Sequence, residues 1–377
     1  MGSLFPPTRF LFGPGPTQIE PRVYEAMAKP IVGYLDPFFF EVNEEVRTGL
    51  QQVFGTKNEF TLAISGTGSA GMEAAVSNFV DPGARLLVFS AGYFAERIAE
   101  MGRRHGADLI RCEKPWGEVF TEAEAREAIE REKPQIVAFV HAETSTGALQ
   151  APLAITKPAH DAGALVIADC VTSLGALPIR LDDSGIDMAF SCTQKGLSCP
   201  PGLAPFSIGP RAEERLKARK TANSVWYLDL KMLSEYYGAQ RRYHHTAPVS
   251  NFYALREGLA AILEEGVERR FERHAQMHAE FVRRVEAMGL RMHVAEPAHR
   301  LPNLNTVRVP EGVDDALVRR TLLAEHGIEI GGGFGPLAGK IFRIGLMGPL
   351  ATPDGLDLFF GAFEGALAAA GAPAARM

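Results

Sequence analysis

The sequence is poor in cysteine and contains no long apolar segment. Its four cysteines form no Cys-x-x-Cys pair, which argues against a disulfide framework and a cysteine-based zinc site. No stretch has the apolar length of a membrane-spanning helix, so we expect no membrane partner. The formal net charge of −6 provides no basic surplus, so we expect no nucleic acid partner. The ten histidines lack metal-ligand spacing, and we expect no metal.

The composition fits a globular enzyme. Of the 377 residues, 46% are hydrophobic and 22% are charged, which suits one large domain or two ordinary ones. The first residues, 1–9, lack the apolar core of a signal peptide, and unpaired cysteines are typical of a reducing compartment. We therefore expect a cytoplasmic location.

Short apolar segments alternate with helical patterns as far as residue 208. A helix is predicted before the first of them, at 41–54, and further helices between most of them, for example at 69–80. This alternation favours an α/β fold in which helices cover both faces of a mostly parallel sheet. Strands are predicted at 60–65, 86–90, 136–141, 164–169, 187–192 and 203–208.

From about residue 251 the pattern changes to α+β. Two long helical patterns are followed by a strand at 305–309 and a helix at 314–326. This change indicates a second, smaller domain. The predicted parts are an N-terminal arm (1–20), a large cofactor-binding domain (21–250) and a small C-terminal domain (251–377).

Lys195 follows an apolar strand and precedes a turn rich in glycine and proline. A lysine at the end of a buried strand lowers its desolvation cost by losing a proton or by forming an imine. Asp169 ends another apolar strand. Such a lysine and carboxylate are what a pyridoxal phosphate site requires, for the imine and for the pyridine nitrogen. Taken alone, Lys195 is better explained as a surface lysine, so the interpretation depends on the rest of the chain.

The segment Gly66-Thr-Gly-Ser-Ala-Gly71 has the pattern of a dinucleotide-binding loop. Such a loop also needs an acidic residue at the end of the next strand, and the strand at 86–90 is followed by none. A glycine turn at a helix N-terminus can still bind one phosphate through free N–H groups. A purely structural turn is the alternative.

The glycine-rich segment 331–340 fails as a P-loop, because Ile341 stands where Ser or Thr is required. We interpret it as a flexible loop leading to a strand that carries Arg343. Arginine is suited to bidentate binding of a carboxylate. An ordinary surface ion pair is the alternative for this residue.

Together, these segments resemble class V aminotransferases of pyridoxal-phosphate fold type I, most closely the alanine–glyoxylate and serine–pyruvate aminotransferases. The resemblance covers nearly the whole chain. It implies a large domain with a mostly parallel seven-stranded sheet, a smaller α+β domain and pyridoxal 5'-phosphate as cofactor. The motifs are Gly13-Pro-Gly-Pro16, Ser65-Gly-Thr-Gly68 with Met72-Glu-Ala-Ala75, His141-Ala-Glu-Thr-Ser-Thr-Gly147, Ala168-Asp-Cys-Val-Thr-Ser-Leu-Gly175, Thr193-Gln-Lys195 with Pro200-Pro-Gly202, Tyr243-His-His-Thr246 and Phe342-Arg-Ile-Gly-Leu346.

The resemblance also implies roles for individual residues. Lys195 is expected to bind the cofactor and to shuttle the substrate proton, and Asp169 to keep the pyridine nitrogen protonated. Val171 is expected on one face of the ring and Phe94, where close relatives usually carry Trp, on the other. The residues expected to bind the phosphate are Thr67, Gly68, Ser69 and Gln194.

Two further phosphate contacts are implied from a second subunit. Tyr243 and Thr246 are expected to reach the partner's cofactor, so the resemblance implies a homodimer. Thr144 is expected near the ring hydroxyl and the substrate. Arg343, with the backbone at Gly15, is expected to bind the substrate carboxylate.

The segment after Gly33 departs from the close relatives. Tyr34 stands where they usually have His, and it is predicted to contact the substrate. The aromatic residues that follow, Phe38, Phe39 and Phe40, are better explained by core packing. This segment leaves the amino donor open.

The predicted reaction moves the amino group of alanine or serine to a 2-oxo acid, with glyoxylate the expected acceptor. Ureidoglycine–glyoxylate and 2-aminoethylphosphonate–pyruvate transaminases are the alternatives. A pyridoxamine–pyruvate aminotransferase is disfavoured because its substrate lacks the phosphate for which this chain keeps a full set of residues. A cysteine desulfurase needs a mobile-loop cysteine, and Cys199 lies too close to Lys195 in the sequence.

Overall fold

The computed structural model describes residues 4–372. Strands and helices alternate along most of the chain. The strands are β1 (Phe10–Leu11), β2 (Thr61–Ser65), β3 (Arg85–Ser90), β4 (Asp108–Glu113), β5 (Ile136–Val140), β6 (Ala142–Glu143), β7 (Ala148–Leu149), β8 (Leu165–Asp169), β9 (Met188–Phe190), β10 (Leu203–Ile208), β11 (Leu304–Arg308), β12 (Ile328–Glu329), β13 (Gly331–Gly332) and β14 (Ile341–Gly345). The helices are α1 (Pro21–Met27), α2 (Pro37–Phe54), α3 (Gly68–Phe79), α4 (Tyr93–Arg104), α5 (Glu122–Glu132), α6 (Leu153–Asp161), α7 (Leu181–Ser184), α8 (Pro210–Ala218), α9 (Leu230–Tyr237), α10 (Val249–Glu265), α11 (Val267–Ala287), α12 (Asp315–His326) and α13 (Pro353–Ala369).

Seven strands form the central sheet, in the order β2-β10-β9-β8-β5-β3-β4. Neighbouring strands are parallel except at β10, which runs antiparallel to both β2 and β9. The inner strands are buried on both faces, which explains their continuous apolar sequences. The sheet confirms the predicted α/β fold with a mostly parallel, seven-stranded sheet flanked by helices.

The edge strand β4 is the member of this sheet that the sequence pattern does not reveal. Three of its six residues are exposed, because β3 is its only neighbour in the sheet. Its sequence therefore mixes apolar and charged residues and lacks the apolar run of an inner strand. Helices α1, α7, α8, α9 and α13 are likewise absent from the prediction.

Two large groups of buried apolar side chains hold the fold together. The first surrounds the central sheet and includes helices α2 and α10. The second lies between the antiparallel sheet β11-β14-β13 and helices α11, α12 and α13. Phe12 of the N-terminal segment belongs to the second group, because β1 pairs with β12. The predicted division into 1–20, 21–250 and 251–377 stays a prediction, and residues 373–377 lie outside the described chain.

The aromatic segment at the start of α2 divides between core and surface. Phe39 and Phe40 are buried in the first apolar group. Phe38 is 51% exposed, and its ring centroid lies 6.3 Å from that of Tyr253. Core packing therefore explains Phe39 and Phe40 but not Phe38.

The carboxyl ends of the parallel strands meet at one edge of the sheet. Ser65 ends β2 and Asp169 ends β8, while β9 ends shortly before Lys195. In open α/β sheets, ligands bind outside this edge. The connections that follow these strands therefore bring the candidate residues together.

Candidate active site

Lys195 lies at the centre of a buried polar cluster. It is only 7% exposed, and its Nζ donates to the hydroxyl oxygens of Thr144 at 2.8 Å and Thr172 at 2.9 Å. Desolvation lowers the pKa of Lys195 below its ordinary value of 10.5, although nearby acidic groups oppose this shift. The neutral amine needed for nucleophilic attack is therefore more available here than on the surface. Thr172 has no role in the sequence prediction, although it lies within a quoted motif.

Asp169 lies in the same buried region, with 2% of its surface exposed. Its Oδ1 accepts a hydrogen bond from the N–H of Val171 at 2.8 Å. Burial raises the pKa of Asp169, whereas the hydrogen bond from Val171 and the charge of Lys195 lower it. A buried carboxylate is stabilised by a cationic partner, which a protonated pyridine nitrogen provides.

The N-terminus of α3 forms a cup for an anion. Within residues 4–372, the N-cap residue Thr67 makes no side-chain capping hydrogen bond. The first N–H groups of the helix, at Gly68 and Ser69, have no acceptor inside the helix and carry a favourable dipole. A Cβ at Gly68 would lie 3.0 Å from Val171 Cγ2, so only glycine allows the cup to approach Val171 this closely.

Gln194, which directly precedes Lys195 in the chain, contributes a buried amide. Its Oε1 is buried and has no hydrogen-bond partner among residues 4–372. Leaving such a group unsatisfied costs about 1–3 kcal/mol. Since rotation of the amide exchanges its oxygen and nitrogen, Gln194 can direct an N–H group at a phosphate. The free amide and the free helix N-terminus both fit a phosphorylated cofactor.

Phe94 lies above the amine, with its ring centroid 5.6 Å from Lys195 Nζ. Its N–H donates to Oε2 of Glu143 at 3.2 Å, and Glu143 is buried with 5% exposure. Glu143 also accepts hydrogen bonds from the N–H and hydroxyl of Ser145. A Cβ at Gly92 would overlap the Glu143 carboxyl, so glycine is required there. Glu143 thus fixes the start of α4 and the position of the Phe94 ring.

Arg97 connects the Phe94 ring to the phosphate cup. Its guanidinium carbon lies 5.0 Å from the Phe94 ring centroid, and its Nη1 donates to Ser69 Oγ at 3.3 Å. The sequence prediction missed both Arg97 and Glu143. The only signal for Arg97 is its spacing of three residues from Phe94 on one helix, which places the two side chains on the same face.

Arg343 on β14 is 4% exposed. Its Nε donates to the carbonyl oxygen of Gly332 at 2.6 Å, and its Nη1 to that of Thr144 at 3.4 Å. These bonds involve no carboxylate, and burial lowers the pKa of Arg343 to about 10. A buried cation whose hydrogen-bond partners are all neutral is costly, so the site suits a carboxylate ligand. Thr144 connects Lys195 and Arg343, since its hydroxyl accepts from Lys195 and its carbonyl accepts from Arg343.

Gly15 brings the N-terminal segment against the lysine. Its φ is +118°, and a Cβ there would lie 3.2 Å from Cε of Lys195. Glycine is therefore required by both the backbone conformation and the close approach. Thr17 supports the same contact, because its hydroxyl donates to the Lys195 carbonyl at 3.0 Å and its N–H to that of Gln194 at 3.1 Å.

Three predicted site residues, Tyr34, Tyr243 and Thr246, lie apart from the cluster around Lys195 in the single chain. The rings of Tyr34 and Tyr243 lie 5.0 Å apart, and the carbonyl of Tyr34 accepts from the hydroxyl of Tyr236. Tyr243 is 52% exposed, and Thr246 is also exposed. Within residues 4–372, none of the three makes a hydrogen bond or ring contact with the residues around Lys195.

Two buried histidines anchor the segment 243–246. His244 Nδ1 and His245 Nδ1 lie 2.8 Å apart, and His245 Nε2 lies 2.6 Å from Ser65 Oγ. Burial lowers the pKa of His245 to about 4, so its ring is neutral near pH 7. The pair therefore ties the exposed segment to the end of β2, directly before the phosphate cup.

Other kinds of site are not evident in the described part of the chain. Residues 4–372 contain no group of three or more histidine, cysteine or acidic side chains that could hold a metal ion. No helix in that range has the length and apolar character needed to cross a membrane. The four cysteines are unpaired, and three of them are buried.

Comparison with known proteins places this geometry in a family. A model described as "Aminotransferase class-V" matches residues 9–336. The alanine–glyoxylate aminotransferase of Callithrix jacchus is 40% identical over 364 residues, covering 96% of this chain and 88% of that protein. The (S)-ureidoglycine–glyoxylate transaminase of Bacillus subtilis is 38% identical over 363 residues, covering 91% and 86%. The crystal structure of an alanine–glyoxylate aminotransferase from Nostoc sp. matches with a TM-score of 0.96 and 46% identity, covering 97% of each chain.

The fold and the site together define an enzyme of fold type I that uses pyridoxal phosphate. Within that class, the chain belongs to the class V aminotransferase family, and its activity is that of an aminotransferase. The family, the fold class and the cofactor predicted from the motifs are thereby confirmed. The roles of the individual residues stay predictions.

Proposed function

We propose that the protein transfers the amino group of L-alanine or L-serine to glyoxylate. The observation that carries this proposal is the position of Thr144, whose hydroxyl accepts from Lys195 and whose carbonyl accepts from Arg343. A substrate carboxylate on Arg343 would place its Cα near the amine that moves the proton. The names of the relatives from Callithrix jacchus and Nostoc sp. support alanine and glyoxylate as the pair. The Bacillus subtilis relative makes (S)-ureidoglycine the second candidate donor.

Each residue of the site has a task in this reaction. Pyridoxal phosphate supplies the aldehyde that accepts the amino group and the ring that stabilises negative charge at the substrate Cα. Lys195 is the base that takes and returns the Cα proton, because burial favours its neutral form. Asp169 provides the negative charge that holds a proton on the ring nitrogen. Arg343 orients the substrate carboxylate, and Phe94 shields the ring from water.

The phosphate has contacts from both subunits in this proposal. Thr67, Gly68, Ser69 and Gln194 provide those of one subunit. Tyr243 and Thr246 provide those of its partner, which accounts for their exposure in the single chain. Because the Tyr34 ring contacts Tyr243, Tyr34 would reach the partner's substrate entrance with it.

The half-reactions can be followed in one cuvette. The purified protein is expected to bind pyridoxal phosphate and to show its visible absorption band. L-Alanine should bleach this band, and glyoxylate should restore it, because the amino group enters the cofactor from alanine and then leaves it for glyoxylate. A band that neither alanine nor serine changes would contradict the proposed donors and direct the test to (S)-ureidoglycine. A protein that binds no cofactor would contradict the reaction itself.

An exposed aromatic surface supports a homodimer. Tyr243, Trp226 and Tyr227 are 52%, 54% and 43% exposed. Trp226 also stacks on His244, with ring centroids 4.3 Å apart. Aromatic side chains grouped in this way are typical of subunit interfaces.

Mixing two inactive variants tests whether residues cross between subunits. One variant carries Lys195→Ala, and the other carries Tyr243→Ala with Thr246→Ala. In a mixed dimer, the chain that keeps Lys195 receives Tyr243 and Thr246 from its partner, so one of the two sites is intact. Refolding the two variants together should therefore restore activity that neither shows alone. The assay uses a low cofactor concentration that is still sufficient to saturate the wild type.

The matched control places all three substitutions on one chain and pairs it with a wild-type chain in a purified mixed dimer. If residues cross, the wild-type chain receives neither Tyr243 nor Thr246 from its partner, so this dimer should be inactive at the same cofactor concentration. If the first mixture is also inactive although a mixed dimer forms, the phosphate contacts lie within one chain. Sedimentation of the wild type as a monomer would contradict the dimer directly.

A further inference from the structure

Phe334 covers one face of the arginine that is suited to the substrate carboxylate. Its ring centroid lies 4.0 Å from the guanidinium carbon of Arg343. The guanidinium edge of Arg343 donates hydrogen bonds to the carbonyls of Gly332 and Thr144. Since a carboxylate binds a guanidinium at its edge, the ring does not block binding. It covers the guanidinium face next to the edge at which a carboxylate would bind.

The glycine-rich loop holds Phe334 in this position. A Cβ at Gly333 would overlap the carbonyl of Leu337, and the N–H of Leu337 donates to the carbonyl of Phe334 at 2.9 Å. On the other side, Gly335 has a φ of +49°, and a Cβ there would lie 3.1 Å from the Trp116 ring. The glycines therefore form a tight turn that presents one aromatic side chain to the site.

Tyr93 extends this surface toward the cofactor side of the site. Its ring centroid lies 5.1 Å from that of Phe334 and 5.5 Å from that of Phe94. Its N–H donates to Ser145 Oγ at 2.9 Å, which fixes it at the start of α4. A continuous aromatic surface thus runs from the ring above Lys195 to the ring above Arg343.

We propose that Phe334 and Tyr93 form a wall that limits the size of the amino donor's side chain. This inference rests on the proposed function, in which the carboxylate lies at Arg343 and the Cα lies near Lys195. The side chain of the donor begins one bond from that Cα and must pass beside the two rings. A methyl or hydroxymethyl group fits in this space, whereas a branched chain meets the rings. The wall therefore selects small donors.

The test compares donors of increasing size in wild type and Phe334→Ala. Alanine, 2-aminobutyrate and leucine are each assayed with glyoxylate, and kcat and KM are determined separately. The ratio of kcat/KM for leucine to that for alanine should rise at least about tenfold in the variant, since a methylene in an apolar pocket changes discrimination by about 10–200-fold. Tyr93→Ala should shift the ratio in the same direction. Phe334→Leu should give a smaller shift.

Removing the ring also uncovers Arg343, and this can change KM for every donor alike. The ratio between donors is insensitive to that uniform change, so it reports the size limit alone. Leu358→Ala on α13 is the matched control, because Leu358 has the same exposed fraction of 37% as Phe334. The ratio of kcat/KM for leucine to that for alanine should be the same in Leu358→Ala as in the wild type.

The failures of the two proposals are distinguishable. If the wild type transfers the amino group of alanine but Phe334→Ala and Tyr93→Ala keep its donor ratio, the wall is wrong and the proposed function stands. If the wild type transfers the amino group of no donor in the series, the proposed function fails and the wall fails with it.

Discussion

Replacing Lys195 by alanine will lower kcat at least about a thousandfold. The residue is the only lysine in the cluster of the described chain, and a positioned general base alone contributes about 10²–10⁴-fold to the rate. The variant also loses the nucleophile that attaches the cofactor to the protein. Both losses slow the chemical step, so kcat should fall by a larger factor than the affinity for the substrate.

Single-turnover kinetics with added pyridoxal phosphate measure this effect. The variant should show a visible band shifted from that of the wild type, because the cofactor is no longer bound through the lysine. Lys157→Ala is the matched control, since the side chain of Lys157 is 61% exposed on the surface. Equal turnover in Lys195→Ala and Lys157→Ala would contradict the assignment of Lys195 as the base.

Replacing Arg343 by alanine will lower kcat/KM for the amino donor by about 30–4,000-fold. Loss of one partner from a buried charge pair costs about 2–5 kcal/mol, and each 1.4 kcal/mol is a factor of ten. Arg343→Lys keeps the charge but loses the planar pair of donors, so it should recover only part of the loss. Most of the change should appear in KM, because the carboxylate is bound before and during the reaction.

Steady-state kinetics with alanine and glyoxylate separate the effect on KM from the effect on kcat. The visible band of the bound cofactor should stay unchanged, which distinguishes a weakened substrate site from a damaged cofactor site. Arg320→Ala on α12, whose side chain is 66% exposed, is the matched control. An unchanged KM for both substrates in Arg343→Ala would contradict the assignment of Arg343 to carboxylate binding.

The buried strands and the main chemical groups were predictable from local patterns. An inner strand such as β5 or β8 is apolar throughout, because helices cover both faces of the sheet. Asp169 is the last residue of such a strand and Lys195 follows another by five positions, where a charged group is conspicuous. The capping box of Thr121 and Glu124 at the start of α5 is another local pattern, since the two partners are three positions apart in the sequence.

The residues that hold the site in position were not predictable in this way. Thr172, Glu143 and Arg97 make contacts with groups 23 to 49 positions away along the chain. These are the bonds from Lys195 to Thr172, from Arg97 to Ser69 and from the Phe94 N–H to Glu143. Nothing in the local sequence of a threonine or glutamate distinguishes a hydroxyl that accepts from a catalytic lysine. The family resemblance identified the motifs, and the distances in the structure show which groups these residues contact.

The α/β sheet, the lysine, the aspartate and the glycine turn were predicted from local sequence patterns, because burial and backbone conformation restrict which residue types occur at these positions. The cytoplasmic location and the homodimer stay predictions. The edge strand β4, the pairing of β1 with β12 and the aromatic wall of Phe334 and Tyr93 became apparent only in the folded chain. Each of these depends on residues far apart in the sequence, whose proximity is set by the packing of whole elements and by no single segment.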